Sequence, residues 1–232
     1  MKIGGLQKLS LIDYPGRIVA TVFLIGCNFH CPYCQNPELV DSKKIKKQPI
    51  ITQAEFFKFL DQRKDFLEGV CITGGEPTIH PDLFNFVKKI KQKGFLVKLD
   101  TNGSKPELLK KMINAKLLDF IAMDIKNSPS NYTKTAEREI DLNKIIKSID
   151  LIKNSGIDYE FRITVASTLV EKKDIEEIGK WLKGVKKFAL QQFQNKKVLN
   201  KSFQKIEPYP EKILKDFQKI LKKHIKEVEL RL

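Results

Sequence analysis

The chain has 232 residues, and 43 Lys and Arg against 28 Asp and Glu give a formal net charge of +15. Hydrophobic residues at 41% and aromatic residues at 9% are ordinary for a chain that folds around a core, which excludes wholesale disorder. The longest apolar stretch, Ile18 to Ile25, is far shorter than the roughly 20 residues a membrane span needs, and MKIGGLQKLS has no apolar signal-peptide core, so a cytoplasmic protein without a membrane partner is expected.

Short β-rich runs alternate with amphipathic ones along the whole chain. Arg17 to Ile25 is β-branched and almost continuously apolar, as expected of a strand buried on both faces. Thr52 opens a helix with the capping box Thr52-x-x-Glu55, and Phe56, Phe57, Leu60 and Leu67 follow at roughly helical spacing. Val70–Thr73 reads as a short strand before Gly74-Gly75, and Pro81 starts a helix that Gly94 stops. The alternation continues with strands at 95–99, 118–123, 159–165 and 185–191, and helices at 106–116, 141–154 and 173–183. A last helix is expected over 210–223, with VELRL as a possible closing strand.

Strands that alternate with helices predict right-handed crossovers and a parallel sheet. The expected architecture is a single α/β domain over 1–232, with a barrel over about 17–191 and a helical extension over 192–232. The polar and glycine-rich segments 26–36, 74–77, 100–103 and 124–130 all follow strands. In parallel α/β folds ligands bind at those strand ends, so the candidate motifs share one rim.

Lysine dominates the positive excess and is spread among acids and apolar residues, as on solvated helix faces. There is no nucleic-acid-binding motif and no basic stretch interleaved with stacking aromatics, so no nucleic-acid partner is expected.

Three of the four cysteines fall within eight residues, as Cys27-x-x-x-Cys31-x-x-Cys34. Clustered cysteines in a chain of this kind point to metal rather than to a disulfide scaffold. A structural zinc site and an electron-carrying [4Fe–4S] cluster both usually take four protein ligands. His30 lies beside Cys31, where adjacent residues of an extended loop point apart, and Cys71 sits in the apolar run GVCITGG, which favours packing. Three ligands suggest a cubane cluster with one iron left open for a small molecule.

Cys27-Asn28-Phe29-His30-Cys31-Pro32-Tyr33-Cys34 resembles the CxxxCxxC signature of the radical S-adenosylmethionine (SAM) superfamily, and Thr73-Gly74-Gly75-Glu76-Pro77 resembles its GGEP motif. LSLIDYPGRIVATVFLIGCNFHCPYCQNPELV, VKLDTNG, IAMDIK and YEFRITV extend the likeness to the glycyl-radical-enzyme activases, above all those of anaerobic ribonucleoside-triphosphate reductase. The resemblance implies a partial (β/α)6 barrel. It implies one [4Fe–4S] cluster on Cys27, Cys31 and Cys34, SAM on the fourth iron, and a 5′-deoxyadenosyl radical that takes a glycine Cα hydrogen from a partner enzyme.

By the same resemblance, Gly74, Gly75 and Glu76 lie near the methionyl amino group, Tyr33 near the adenine, and Lys126 and Arg162 beside SAM. Asp100 and Asp124 match acids near the SAM carboxylate, where a monovalent cation would relieve the repulsion between anions. Asp13-Tyr14-Pro15-Gly16 resembles the segment that meets the partner's glycyl loop. Reduced flavodoxin or ferredoxin is the implied electron donor, and an acidic donor suits the net charge. Two positions depart from the activase pattern, Gln35 after the third cysteine and Gln194 where some members carry histidine. A radical SAM enzyme acting on a small molecule, such as a deazapurine synthase, and a non-catalytic zinc or iron–sulfur module are the alternatives.

Overall fold

The computed structural model describes residues 1–232. Its eight strands form one sheet in the order β1 to β8: Ile3–Ser10, Val19–Leu24, Gly69–Gly74, Leu96–Thr101, Phe120–Asp124, Asp158–Val165, Lys187–Gln192 and Glu227–Arg231. β1 runs antiparallel to β2, and every later neighbour pair is parallel. The major helices fill the crossovers: α1 Gln53–Gln62, α2 Leu83–Gln92, α3 Pro106–Asn114, α4 Leu142–Lys153, α5 Lys172–Trp181 and α6 Glu211–Leu221. This is the α/β partial barrel with six strand–helix units, β2 to α6, followed by β8.

Strand alternation divides the sheet into two environments. On β2 the side chains of Ala20, Val22 and Leu24 enter the main core, which includes Phe56 and Leu60 of α1 and Leu83, Phe86, Val87 and Ile90 of α2. The other face carries Val19, Cys71, Phe120 and Ala122, which form a separate small apolar cluster with Tyr14. Above that cluster the same face turns polar, with Asp100, Asp124 and Arg162. The polar end coincides with the C-terminal ends of the parallel strands, as the sequence places it.

Local signals act as expected at α1. The Thr52 hydroxyl accepts from Glu55 N at 3.1 Å, and Glu55 Oε2 accepts from Thr52 N at 2.7 Å. Such a cap is worth about 1 kcal/mol. One feature goes beyond the sequence reading, and the closing strand expected at VELRL forms. β1 precedes the expected barrel, as an edge strand whose IGGLQKLS lacks the β-branched alternation that marks strands. The segment after 192 carries its helix, α6, and also adds β8 in register with β7, Phe188 opposite Val228 and Leu190 opposite Leu230. The C-terminal extension therefore lengthens the sheet. No helix is long and apolar enough to cross a membrane.

Candidate active site

The cysteine loop leaves β2 through Gly26, whose φ of +102° lies in the region that favours glycine. Distant backbone groups then pin it: Gly26 N donates to Leu39 O at 2.7 Å, His30 N to Ala136 O at 2.9 Å, and Asn200 N to Pro32 O at 2.9 Å. The Asn28 amide joins the loop to the end of β4, donating to Ser104 Oγ at 2.8 Å and accepting from Asn102 Nδ2 at 3.0 Å. Cys31 is buried, and Cys27 and Cys34 are half-buried. Burial pushes the Cys27 thiol up to about 12 and the Cys31 thiol up to about 11, the latter partly offset by Lys126, and it raises Cys34 as well. Binding iron must therefore displace protons from all three sulfurs.

Across from this loop, β3 ends in Gly74 and Gly75. Gly75 N donates to Leu24 O at 2.8 Å, and Glu76 N donates to Gly26 O at 2.7 Å. A Cβ on Gly75 would lie 1.9 Å from Gly26 O, and one on Gly74 would lie 2.3 Å from Leu24 N. The glycines are thus required by the close approach of the β3 end to the β2 end, which fixes the root of the cysteine loop. Glu76, 1% exposed, turns its carboxylate to the protein. Oε1 accepts from Thr78 N at 3.0 Å, from Thr101 Oγ1 at 2.7 Å and from the Thr78 hydroxyl, and Oε2 accepts from Asn102 N at 2.6 Å. Burial raises its pKa against those four bonds. Glu76 braces the loop after β4 to the end of β3.

The third wall is ionic. Asp124 and Arg162 stand opposite each other in the β5–β6 register, and Asp100 is opposite Ala122 on β5. Arg162 Nε donates to Asp124 Oδ1 at 2.5 Å and its Nη2 to Asp100 Oδ2 at 3.1 Å. Lys126 Nζ donates to Asp124 Oδ2 at 3.0 Å, and Lys98 Nζ donates to Asp100 Oδ1. Burial opposes the charge on Asp124, but Arg162 and Lys126 outweigh it and hold the carboxyl well below the usual range; at Asp100 burial is likewise outweighed by Arg162 and Lys98, which lower its pKa.

All eleven residues expected to hold the cluster and SAM line one cavity of 340 Å³. His30 and Cys71 do not line it. No three His, Cys, Asp or Glu side chains converge on one point as a single zinc ion requires. The three thiols with no fourth protein ligand fit a four-iron cluster that keeps one iron for a small molecule. The Tyr33 hydroxyl is buried in this wall without a hydrogen-bond partner, a vacancy of the kind a polar ligand fills.

The expected glycyl-loop segment is divided. Asp13 lines the cavity and accepts from Thr21 Oγ1 at 2.6 Å. Tyr14 is 6% exposed and packs on Phe120, ring centroids 5.7 Å apart, so it closes the apolar floor beneath the site and offers no surface for contact. Pro15 and Gly16 are exposed, as are Leu11 and Ile12 before them. Gln35 and Gln194, the two departures, touch: Gln35 Nε2 donates to Gln194 O at 3.4 Å. Sequence reasoning missed Asn28, Thr101, Asn102 and Lys98. All four lie inside segments that carry the resemblance, and Lys98 adds a charge two residues before Asp100 inside an apolar strand.

Residues 21–183 match the model of the radical SAM superfamily. A relative from Methanocaldococcus jannaschii, described as "Putative glycyl-radical enzyme activating enzyme MJ1227", is 36% identical over 99% of this chain and 95% of its own. The 7-carboxy-7-deazaguanine synthase of Thermococcus kodakarensis is 26% identical over 76% of this chain and 74% of its own. In structure, a domain of a pyruvate-formate lyase-activating enzyme from Bacteroides vulgatus superposes with a TM-score of 0.56 at 19% identity, over 70% of this chain and 98% of that one. The chain is an enzyme of the radical SAM superfamily. Within it, the chain belongs with the glycyl-radical enzyme activating enzymes, and membership implies a [4Fe–4S] cluster and SAM.

Proposed function

We propose that this protein installs the glycyl radical of an anaerobic ribonucleoside-triphosphate reductase. The observation that carries the activase reading is identity running through nearly the whole of both chains, this one and its 36% identical relative. The choice of the reductase rests on the segment resemblances around Asp13–Gly16, VKLDTNG and IAMDIK.

Cys27, Cys31 and Cys34 would hold the cluster, and the backbone of Gly74 and Gly75 would border the methionyl end of SAM. Arg162 and Lys126 present positive charge to its carboxylate, and Tyr33 Oη offers a hydrogen bond inside the wall. When bound, the cluster supplies one electron that cleaves SAM to methionine and a 5′-deoxyadenosyl radical, which takes the glycine Cα hydrogen. The protein's part is to fix these groups and to keep water and oxygen out. A second cavity of 450 Å³ shares Asp13, Arg162 and Gln191 with the first and opens beside Ile12 and Pro15. That opening would give an extended glycine-bearing segment a path to the site. A reduced flavodoxin or ferredoxin would donate the electron, its acidic surface drawn to a chain of net charge +15.

The test is electron paramagnetic resonance of the reductase after anaerobic incubation with reconstituted enzyme, SAM and reductant. A glycyl radical on the reductase supports the proposal. A radical formed only on a lyase-type partner refutes the choice of reductase. Turnover of SAM driven by a pterin-like small molecule, with no protein radical, refutes the activase reading.

A further inference from the structure

The activase resemblance implies a monovalent cation beside Asp100 and Asp124, and the side chains present do not fit one. Each of the four carboxylate oxygens already meets a fixed positive group. Lys98 Nζ is on Asp100 Oδ1, Arg162 Nη2 is 3.1 Å from Asp100 Oδ2, Arg162 Nε is 2.5 Å from Asp124 Oδ1, and Lys126 Nζ is 3.0 Å from Asp124 Oδ2. Three cationic side chains hold these two carboxylates, while Asp13 and Glu76, which also line the cavity, are held by Thr21 and by Thr78, Thr101 and Asn102. At each of these four oxygens an entering alkali ion would compete with an ammonium or guanidinium group already in place, in a weakly screened interior. An anionic ligand group would instead face Arg162 and Lys126, the two cations that line the cavity.

Lys98 distinguishes this arrangement. Its side chain is 3% exposed and reaches Asp100 from the side of the 450 Å³ cavity, which it lines, rather than from the 340 Å³ one. Its only other hydrogen-bond contact is the Cys71 thiol at 3.6 Å, which burial keeps protonated. The ammonium is therefore committed to Asp100 Oδ1.

We propose that Lys98, together with Arg162 and Lys126, stands in for the monovalent cation, so that the cavity takes the SAM carboxylate without recruiting an ion. This rests on the assignment of the cavity to SAM. Lys98 acts as a positioning residue: it satisfies the far oxygen of Asp100 and lets Arg162 bridge both acids. Removing it opens the seat that an alkali ion could fill.

Equilibrium dialysis of SAM against the reconstituted, unreduced enzyme tests this in KCl, NaCl and choline chloride at equal ionic strength. The wild type should bind within about twofold in all three. Lys98→Met should bind about tenfold more weakly in choline, the worth of a charge-assisted hydrogen bond, and should recover in KCl. Lys98→Arg should remain indifferent to the ion. A tenfold loss by wild type in choline overturns the proposal, as does a Lys98→Met defect equal in every salt, which would mark a purely structural lysine. The wild-type and Lys98→Arg arms decide the matter even if Lys98→Met does not fold. No binding in any salt contradicts the cofactor assignment and this inference with it.

Discussion

The wall made by the ends of β2 and β3 and the wall made by β4, β5 and β6 face one cavity, but different forces hold them. The first is backbone against backbone: Gly75 N on Leu24 O, Glu76 N on Gly26 O, and glycines where any Cβ would collide. The second is side chain against side chain, a buried chain of alternating charge from Lys98 through Asp100, Arg162 and Asp124 to Lys126. The backbone wall sets position, because a peptide group cannot swing aside. The ionic wall sets electrostatic potential, and it is stable only while each charge keeps its partners.

The sharpest way to break the ionic wall is Arg162→Met. It leaves Asp100 and Asp124 facing each other with one lysine apiece, and removing one partner from a buried ionic network costs about 3–5 kcal/mol. Urea denaturation should show a loss of that order, with Arg162→Lys intermediate because a single ammonium lacks the planar fork whose separate nitrogens reach Asp124 and Asp100. On the other wall, Gly75→Ala should cost about 3 kcal/mol, at the upper end for overpacking, because its neighbour is a carbonyl that no rotamer can move. It should also lower iron content after reconstitution, and normal iron binding by a fully stable variant would refute the strand-contact explanation.

Thr101→Val ties the two walls together. It removes one donor from buried Glu76 Oε1, and a buried acceptor that loses a partner costs about 1–3 kcal/mol. The pH profile separates the walls further. Asp100 and Asp124 have folded values below the unfolded Asp value of about 3.9. Their contribution is complete above that value and drains away as pH falls through the lower folded ones. Acid titration of stability should therefore be steep in wild type below about pH 4 and shallower in Arg162→Met. The smallest effect belongs to Tyr33→Phe. Its hydroxyl has no protein partner, so stability should change by less than about 1 kcal/mol, while SAM affinity should fall if the hydroxyl meets the ligand.

These two walls also differed in how far the sequence revealed them. The backbone wall is contiguous in the chain, as CNFHCPYC and TGGEP, so its motifs stand out in a single reading. The ionic wall draws Lys98 and Asp100 from β4, Asp124 from β5, Lys126 from just past β5 and Arg162 from β6, and register alone unites Asp124 with Arg162. Resemblance gives a role to four of its five members and none to Lys98, although Lys98 lies within VKLDTNG. Strand alternation located most of the barrel because its strands are buried and β-branched. β1 does not stand out because an edge strand with two glycines lacks that pattern, and the burial of Tyr14 is not legible because a turn signal does not reveal which side chain folds under the sheet.

The account's central claim is that Cys27, Cys31 and Cys34 hold a cluster that cleaves SAM in this cavity. The most direct test is 5′-deoxyadenosine formation by anaerobically reconstituted, reduced wild type and Cys31→Ala, with iron and zinc measured on the same samples. The account predicts about four irons per wild-type chain, product from wild type, and none from Cys31→Ala. A wild-type chain that holds zinc and no iron–sulfur cluster, or equal product from both proteins, would contradict it.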